Sequence, residues 1–120
     1  MIDEIISIAQ KAGHIIIDVH QSGDFDICVK DDGSSVTRAD HASDKYIRSA
    51  LQDQFRTPVI SEESEICSSS RKDWSEFFLV DPLDGTRDFI EGKDDFTVNI
   101  ALVRNGRPVL GVICVPMLKE

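Results

Sequence analysis

The Asn105-Gly106 dipeptide constrains this chain most, because it sits between two apolar runs and is the residue pair that closes a two-residue β-hairpin. Both residues of such a turn need positive φ, which asparagine tolerates and glycine adopts freely. The run before it, residues 96–103, alternates strictly, with Phe96, Val98, Ile100 and Leu102 on one face. A period of two predicts a strand with one buried face. The run after it, residues 109–115, is apolar on both faces and is expected to lie centrally in a sheet. An antiparallel pair is therefore required, and the rest of the chain must cover its buried side.

The N-terminal half supplies that cover. Ile2, Ile5, Ile6, Ala9, Ala12, Gly13, Ile16 and His20 recur at spacings of three and four, and Asp3 and Glu4 complement the dipole of the first turn. This predicts an amphipathic helix over residues 2–20. A second helix is expected after Thr37, a good N-cap, with Ala39, Ala42, Tyr46, Ile47, Ala50 and Leu51 as its apolar face until Phe55 and Pro58 end it. Residues 25–29 and 58–61 read as short strands, and residues 30–35 and the Ser-rich residues 67–73 as loops. Residues 77–80 read as a buried strand stopped by Asp81-Pro82. The expected fold class is α+β, two N-terminal helices packed on a mainly antiparallel sheet. A chain of 120 residues has room for one such domain, so residues 1–120 are taken as a single unit.

Charge and cysteine content narrow the function. Thirteen basic against 22 acidic residues give a net charge of −9, which disfavours a nonspecific nucleic-acid or anionic-membrane binder. A phosphorylated ligand would need a metal or a local set of donors to offset the same repulsion. Cys28, Cys67 and Cys114 are odd in number and lack Cys-x-x-Cys spacing, so neither a disulfide framework nor a zinc site is expected. No apolar run approaches the roughly 18 residues of a membrane span, and the acidic start Met1-Ile2-Asp3-Glu4 speaks against an export signal. The expected location is the cytoplasm.

The chemistry concentrates in Val80-Asp81-Pro82-Leu83-Asp84-Gly85-Thr86. Two carboxylates three residues apart, held by a proline, repel one another unless a cation lies between them. Mg²⁺ suits ligands that are all oxygen. Gly85 lets the backbone approach a ligand, and Thr86 opens a short helical turn whose amides can donate to a phosphate. An Asp-Pro turn followed by an Asp N-cap would explain both aspartates without metal. Glu62 and Glu63, just beyond another expected strand, offer a second carboxylate pair, or else a solvated loop. A phosphatase that uses one aspartate as nucleophile and the next as acid/base would separate them by one residue, whereas two residues, Pro82 and Leu83, intervene here. His14, His20 and His41 lie outside the acidic motifs, and no Cys-His pairing is visible.

Three motifs together resemble one family. Val36-Thr37-Arg38-Ala39-Asp40, Ser61-Glu62-Glu63-Ser64 and Asp81-Pro82-Leu83-Asp84-Gly85-Thr86 occur in the order and approximate spacing of the inositol monophosphatase superfamily signature. Arg87-Asp88-Phe89-Ile90 and Phe96-Thr97-Val98-Asn99-Ile100-Ala101-Leu102 resemble its 3'(2'),5'-bisphosphate nucleotidase branch, of the CysQ type. The resemblance covers essentially the whole chain. It implies half of a layered αβαβα sugar-phosphatase fold, the N-terminal metal-binding half, with the C-terminal domain absent.

That resemblance implies Mg²⁺-dependent hydrolysis of a phosphate monoester, with two or more ions and one ligand expected from the absent half. Glu62, Asp81, Asp84 and the backbone carbonyl of Leu83 would bind metal, and Gly85 and Thr86 would contact the phosphate. Asp40 would hydrogen-bond Thr86 and, with Glu62, help activate the attacking water; Thr37-x-x-Asp40 is equally a helix capping box, and the two roles are compatible. Lys30 would neutralise the phosphate or the acidic ligands, or simply be solvated. The implied substrate is a small phosphorylated nucleotide, adenosine 3'(2'),5'-bisphosphate, giving AMP, with no nucleic-acid polymer as partner. Alternatives are an inositol monophosphatase and a catalytically silent metal-binding or interaction fragment. A homodimer and peripheral association with an inner membrane are both compatible with the resemblance. Ser35 departs from the family by standing where proline is usual, which loosens the loop more than it alters the chemistry. The larger departure is the second half, whose Trp-Asp motif would supply another metal-binding aspartate.

Overall fold

Two long helices form where the spacing of three and four predicts them, in a computed structural model that describes residues 2–23, 25–29, 33, 35–61, 75–91 and 96–116. Helix α1 spans Ile2–Ser22 and buries Ile5, Ile8, Ala9, Ala12, Gly13, Ile16 and Val19. Ile2 and Ile6, expected inside, are exposed, because Ile8 and Val19 complete the stripe on its other side. Gly13 lets α1 approach the chain that follows the last strand, since a Cβ there would come within 3.3 Å of the Pro116 ring.

Helix α2 spans Arg38–Phe55 and begins in a complete capping box. Thr37 Oγ1 accepts from the Ala39 amide at 3.2 Å, while Asp40 Oδ2 accepts from the Thr37 amide at 2.8 Å and from the Thr37 hydroxyl at 2.7 Å. Orphan donors of the first turn are thereby satisfied. The helix stops at Arg56, left-handed at φ 52°, with Pro58 two residues on.

Strands β1 (Cys28–Val29) and β2 (Ser35–Val36) form a small antiparallel pair. The first is shorter than expected, since Asp26 takes a left-handed φ of 48° that interrupts extended backbone between Phe25 and Cys28. The main sheet has the order β3 (Val59–Ser61), β4 (Glu76–Asp84), β5 (Thr97–Arg104) and β6 (Arg107–Cys114), with the short helix α3 (Thr86–Ile90) between β4 and β5. The β3–β4 pair is parallel and the other two pairs are antiparallel. Asn105 and Gly106 take φ 52° and 78°, closing the β5–β6 hairpin as their chemistry demands.

Both long helices lie on one face of the sheet. Phe78, Val80, Val98, Ile100 and Leu102 meet the apolar stripes of α1 and α2 in one core cluster. Truncating Phe78 there to alanine would cost about 3–5 kcal/mol. Two strand expectations need correction. β4 does not stop at Asp81-Pro82 but runs on to Asp84. Among the described residues β6 is not central but lies at one edge of the sheet, as β3 does at the other, with Val109 50% and Ile113 73% exposed. Apolar residues on both faces do not by themselves distinguish a central strand from an edge, and Pro108, which has no N–H to donate, is better tolerated at an edge.

Candidate metal centre

In a regular strand Asp81 and Asp84, three residues apart, would point to opposite faces. Here Asp81 pairs with Asn99 and Asp84 pairs with Thr97, so three steps along β4 oppose two along β5. One extra residue in a strand is a β-bulge, and it inverts the alternation beyond it. Pro82 and Leu83 are consecutive buried residues, after which Asp84 returns to the face of Asp81, away from the helices. The irregularity also accommodates Pro82, whose carbonyl accepts from the buried Ser43 hydroxyl of α2 at 2.8 Å.

Immediately after the bulge the chain turns. Gly85 sits at φ 92°, a conformation that costs a side chain dearly, and its carbonyl accepts from the Phe89 amide at 3.0 Å to start α3. Thr86 Oγ1 donates to Asp40 Oδ1 at 2.9 Å and lies 3.4 Å from the Leu83 carbonyl oxygen. Asp40 therefore caps α2 with one oxygen and holds the first residue of α3 with the other, although it is 1% exposed. From below, α3 is held by Phe89, whose ring packs against Phe25 at 4.8 Å, His20 at 5.2 Å and Phe96 at 5.3 Å. A turn fixed at both ends is preorganised for a ligand.

The structure thus brings Asp40, Asp81, Leu83, Asp84, Gly85 and Thr86 together at the C-terminal end of β4. Ser61, the last residue of β3, lies level with Val80 on the neighbouring parallel strand. Glu62, the next residue in sequence, and Lys30 lie outside the described residues. Among the described residues no three His, Cys, Asp or Glu side chains converge on one point. Two carboxylates on one face and a backbone carbonyl are nevertheless hard oxygen donors, and that donor chemistry fits Mg²⁺. Sequence reasoning missed two residues here. Ser43 anchors the bulge from α2, and Asn99 donates its side-chain amide to Asp84 Oδ2 at 3.2 Å. The available signal was polarity out of place: a serine on an apolar helix stripe, and an asparagine in a strand, where that residue is depleted.

Known proteins resemble this chain in sequence and in fold. 3'(2'),5'-Bisphosphate nucleotidase CysQ of Escherichia coli K12 is 40% identical over 124 residues, spanning 98% of this chain and 49% of that protein. The crystal structure of the extragenic suppressor protein SuhB from Bartonella henselae superposes with a TM-score of 0.87 at 32% identity, over 96% of this chain and 45% of that one. CysQ from Bacteroides thetaiotaomicron, a bacterial member of the inositol monophosphatase family, gives 0.80 at 41% identity, over 94% and 41%. The chain spans about half the length of the curated relatives it matches. Its two long helices on a four-stranded mixed sheet are therefore part of the inositol monophosphatase fold, in keeping with the expected α+β class. The sequence profile of the inositol monophosphatase family matches residues 1–120, a span that includes the bulge, the Gly-Thr turn and Asp40, and the chain belongs to that family.

Proposed function

We propose that residues 1–120 form the N-terminal metal-binding domain of a Mg²⁺-dependent phosphomonoesterase, most similar in activity to the 3'(2'),5'-bisphosphate nucleotidases, and that it works in the cytoplasm. The observation that carries the reading is the bulge that sets Asp81 and Asp84 on one face beside the Gly85-Thr86 turn. Asp81, Asp84 and the Leu83 carbonyl would hold the metal, joined by Glu62. Bound Mg²⁺ supplies Lewis acidity to the phosphoryl oxygens and to water. The chain's own groups do the rest. Gly85 and Thr86 orient the phosphate, while Asp40, already bonded to the Thr86 hydroxyl, keeps that hydroxyl's lone pairs turned toward the site, where they accept from the attacking water, and so helps Glu62 activate it. Lys30 offsets phosphate charge. Adenosine 3'(2'),5'-bisphosphate is the favoured substrate, supported by 40% identity with CysQ relatives, and AMP the product.

A second reading is favoured by length. Because the chain spans about half of its curated relatives, the 120 residues alone would be catalytically silent, with a further metal-binding aspartate supplied by a C-terminal domain. Both readings meet one experiment: phosphate release by this chain, and by the same chain extended with the C-terminal half of a CysQ relative, at equal Mg²⁺. The extended protein is expected to cleave adenosine 3',5'-bisphosphate in preference to inositol 1-phosphate, and Asp84→Asn to lose on the order of 10² to 10³ in rate. Preference for inositol phosphate would overturn the nucleotide assignment and leave the metal role standing. Equal rates with and without the extension would overturn the second reading.

A further inference from the structure

Asn99 lies on β5 directly opposite Asp81, and Thr97, two residues earlier on the same face, lies opposite Asp84 across the bulge. Asn99 is therefore beside one carboxylate and diagonal to the other, within reach of both. Its Nδ2 donates to Asp84 Oδ2 at 3.2 Å, and its Oδ1 accepts from the Thr97 hydroxyl at 3.4 Å. A side-chain amide has one accepting and one donating end. With the accepting end on Thr97, the donating end is turned to Asp84.

We infer that Asn99 is a positioning residue of the cation site, holding one oxygen of Asp84 so that the other is presented for ligation, with Thr97 setting the orientation of the amide. The inference rests on the proposal that Asp81 and Asp84 hold a divalent cation. Asp84 is exposed, so an unrestrained carboxylate would exchange among staggered rotamers and lose that freedom on binding metal. The amide removes part of that cost beforehand. Its partial positive charge also lowers the repulsion between two aspartates on one face, which an apolar neighbour could not do. Outer partners of this kind orient a ligand without touching the metal.

Mn²⁺ is the probe, since its free-ion electron paramagnetic resonance signal falls as it binds. It is titrated into the 120-residue chain, with melting temperature in excess EDTA recorded for each variant. Wild type is expected to bind. Asn99→Leu, of similar size but without the amide, should bind on the order of tenfold more weakly. Thr97→Val leaves the donor in place but frees its orientation, and should weaken binding by a smaller factor, while melting in EDTA stays near wild type. Wild-type affinity in both variants would overturn the inference. So would weakened binding in Asn99→Leu that comes with a collapse of its melting transition while Thr97→Val binds as tightly as wild type. Absence of Mn²⁺ binding by wild type would instead overturn the metal reading itself, and this inference with it.

Discussion

Asp40→Ala should lower the melting temperature of this chain by about 12 °C, even in EDTA, because the carboxylate is a structural joint before it is anything else. It accepts from the Thr37 amide, the Thr37 hydroxyl and the Thr86 hydroxyl at 2.8, 2.7 and 2.9 Å. Thr37 is fully buried, so both of its donors would lose their partner with no water to replace it. Loss of a helix cap costs about 1 kcal/mol, and hydrogen bonds to a charged acceptor contribute about 1.5–3 kcal/mol, less than additively when they share one carboxylate. A total of about 3 kcal/mol is reasonable. Unfolding entropy of roughly 2.1 cal/mol/K per residue makes the transition worth about 0.25 kcal/mol per degree for a chain of this length, hence the 12 °C. Thr86→Val removes only the link to α3, at a half-buried site, and should cost about 1.5 kcal/mol or roughly 6 °C. The assay is thermal unfolding by far-UV circular dichroism with excess EDTA, so that metal binding plays no part. A shift below about 3 °C for Asp40→Ala, or equal shifts for the two variants, would refute the claim that one carboxylate joins the starts of α2 and α3.

Three further outcomes follow from the same geometry. Mg²⁺ at about ten times its dissociation constant should raise the melting temperature by roughly 6 °C through linkage, and Asp84→Asn should remove the rise, both read by the same thermal assay. Gly85→Ala, forced to φ 92°, should destabilise by about 1 kcal/mol or more, seen as a fall in the urea midpoint. Burial pushes the Cys114 thiol above its ordinary pKa, so less of it is thiolate at any pH near neutrality; iodoacetamide should modify exposed Cys28 well before Cys114, read by peptide mass spectrometry, and the gap should close in urea.

What the sequence shows and what it hides follow the range of the interactions involved. The Asn105-Gly106 turn was legible because its cause is local: two residues that accept positive φ, flanked by alternation. The Thr37 cap was legible for the same reason. The Thr86–Asp40 hydrogen bond joins residues 46 apart, and only the family resemblance pointed to it. Among the described residues β6 lies at an edge where a central place was expected, because exposure depends on which strand pairs beside it, and the apolar residues of β6 are the same whether a neighbour is present or not. Ile2 and Ile6 were misjudged because an apolar stripe wider than the contact leaves some members outside.

The bulge is the instructive case, since the residues that create the site are those that made the strand seem to end. Pro82 interrupts the ladder, and Asp81 and Asp84 break the apolar run, so by pattern alone the strand stops at Val80. Without an extra residue, however, a strand carrying aspartates three apart would drive one of them into the helix-covered core, where an unpaired carboxylate costs several kcal/mol. Ending the strand avoids that cost and leaves both aspartates on loose backbone. Bulging avoids it as well and keeps Asp84 paired with Thr97 on β5, next to the amide of Asn99, while Ser43 fixes the Pro82 carbonyl from the other side. If the pair holds a cation, as we propose, a frame that already sets both aspartates on one face spares part of the ordering that ligation demands. The residues that hide the strand in the sequence, Asp81, Pro82 and Asp84, would then be the ones that prepare the site, because the bulge they force is what puts both carboxylates on one face.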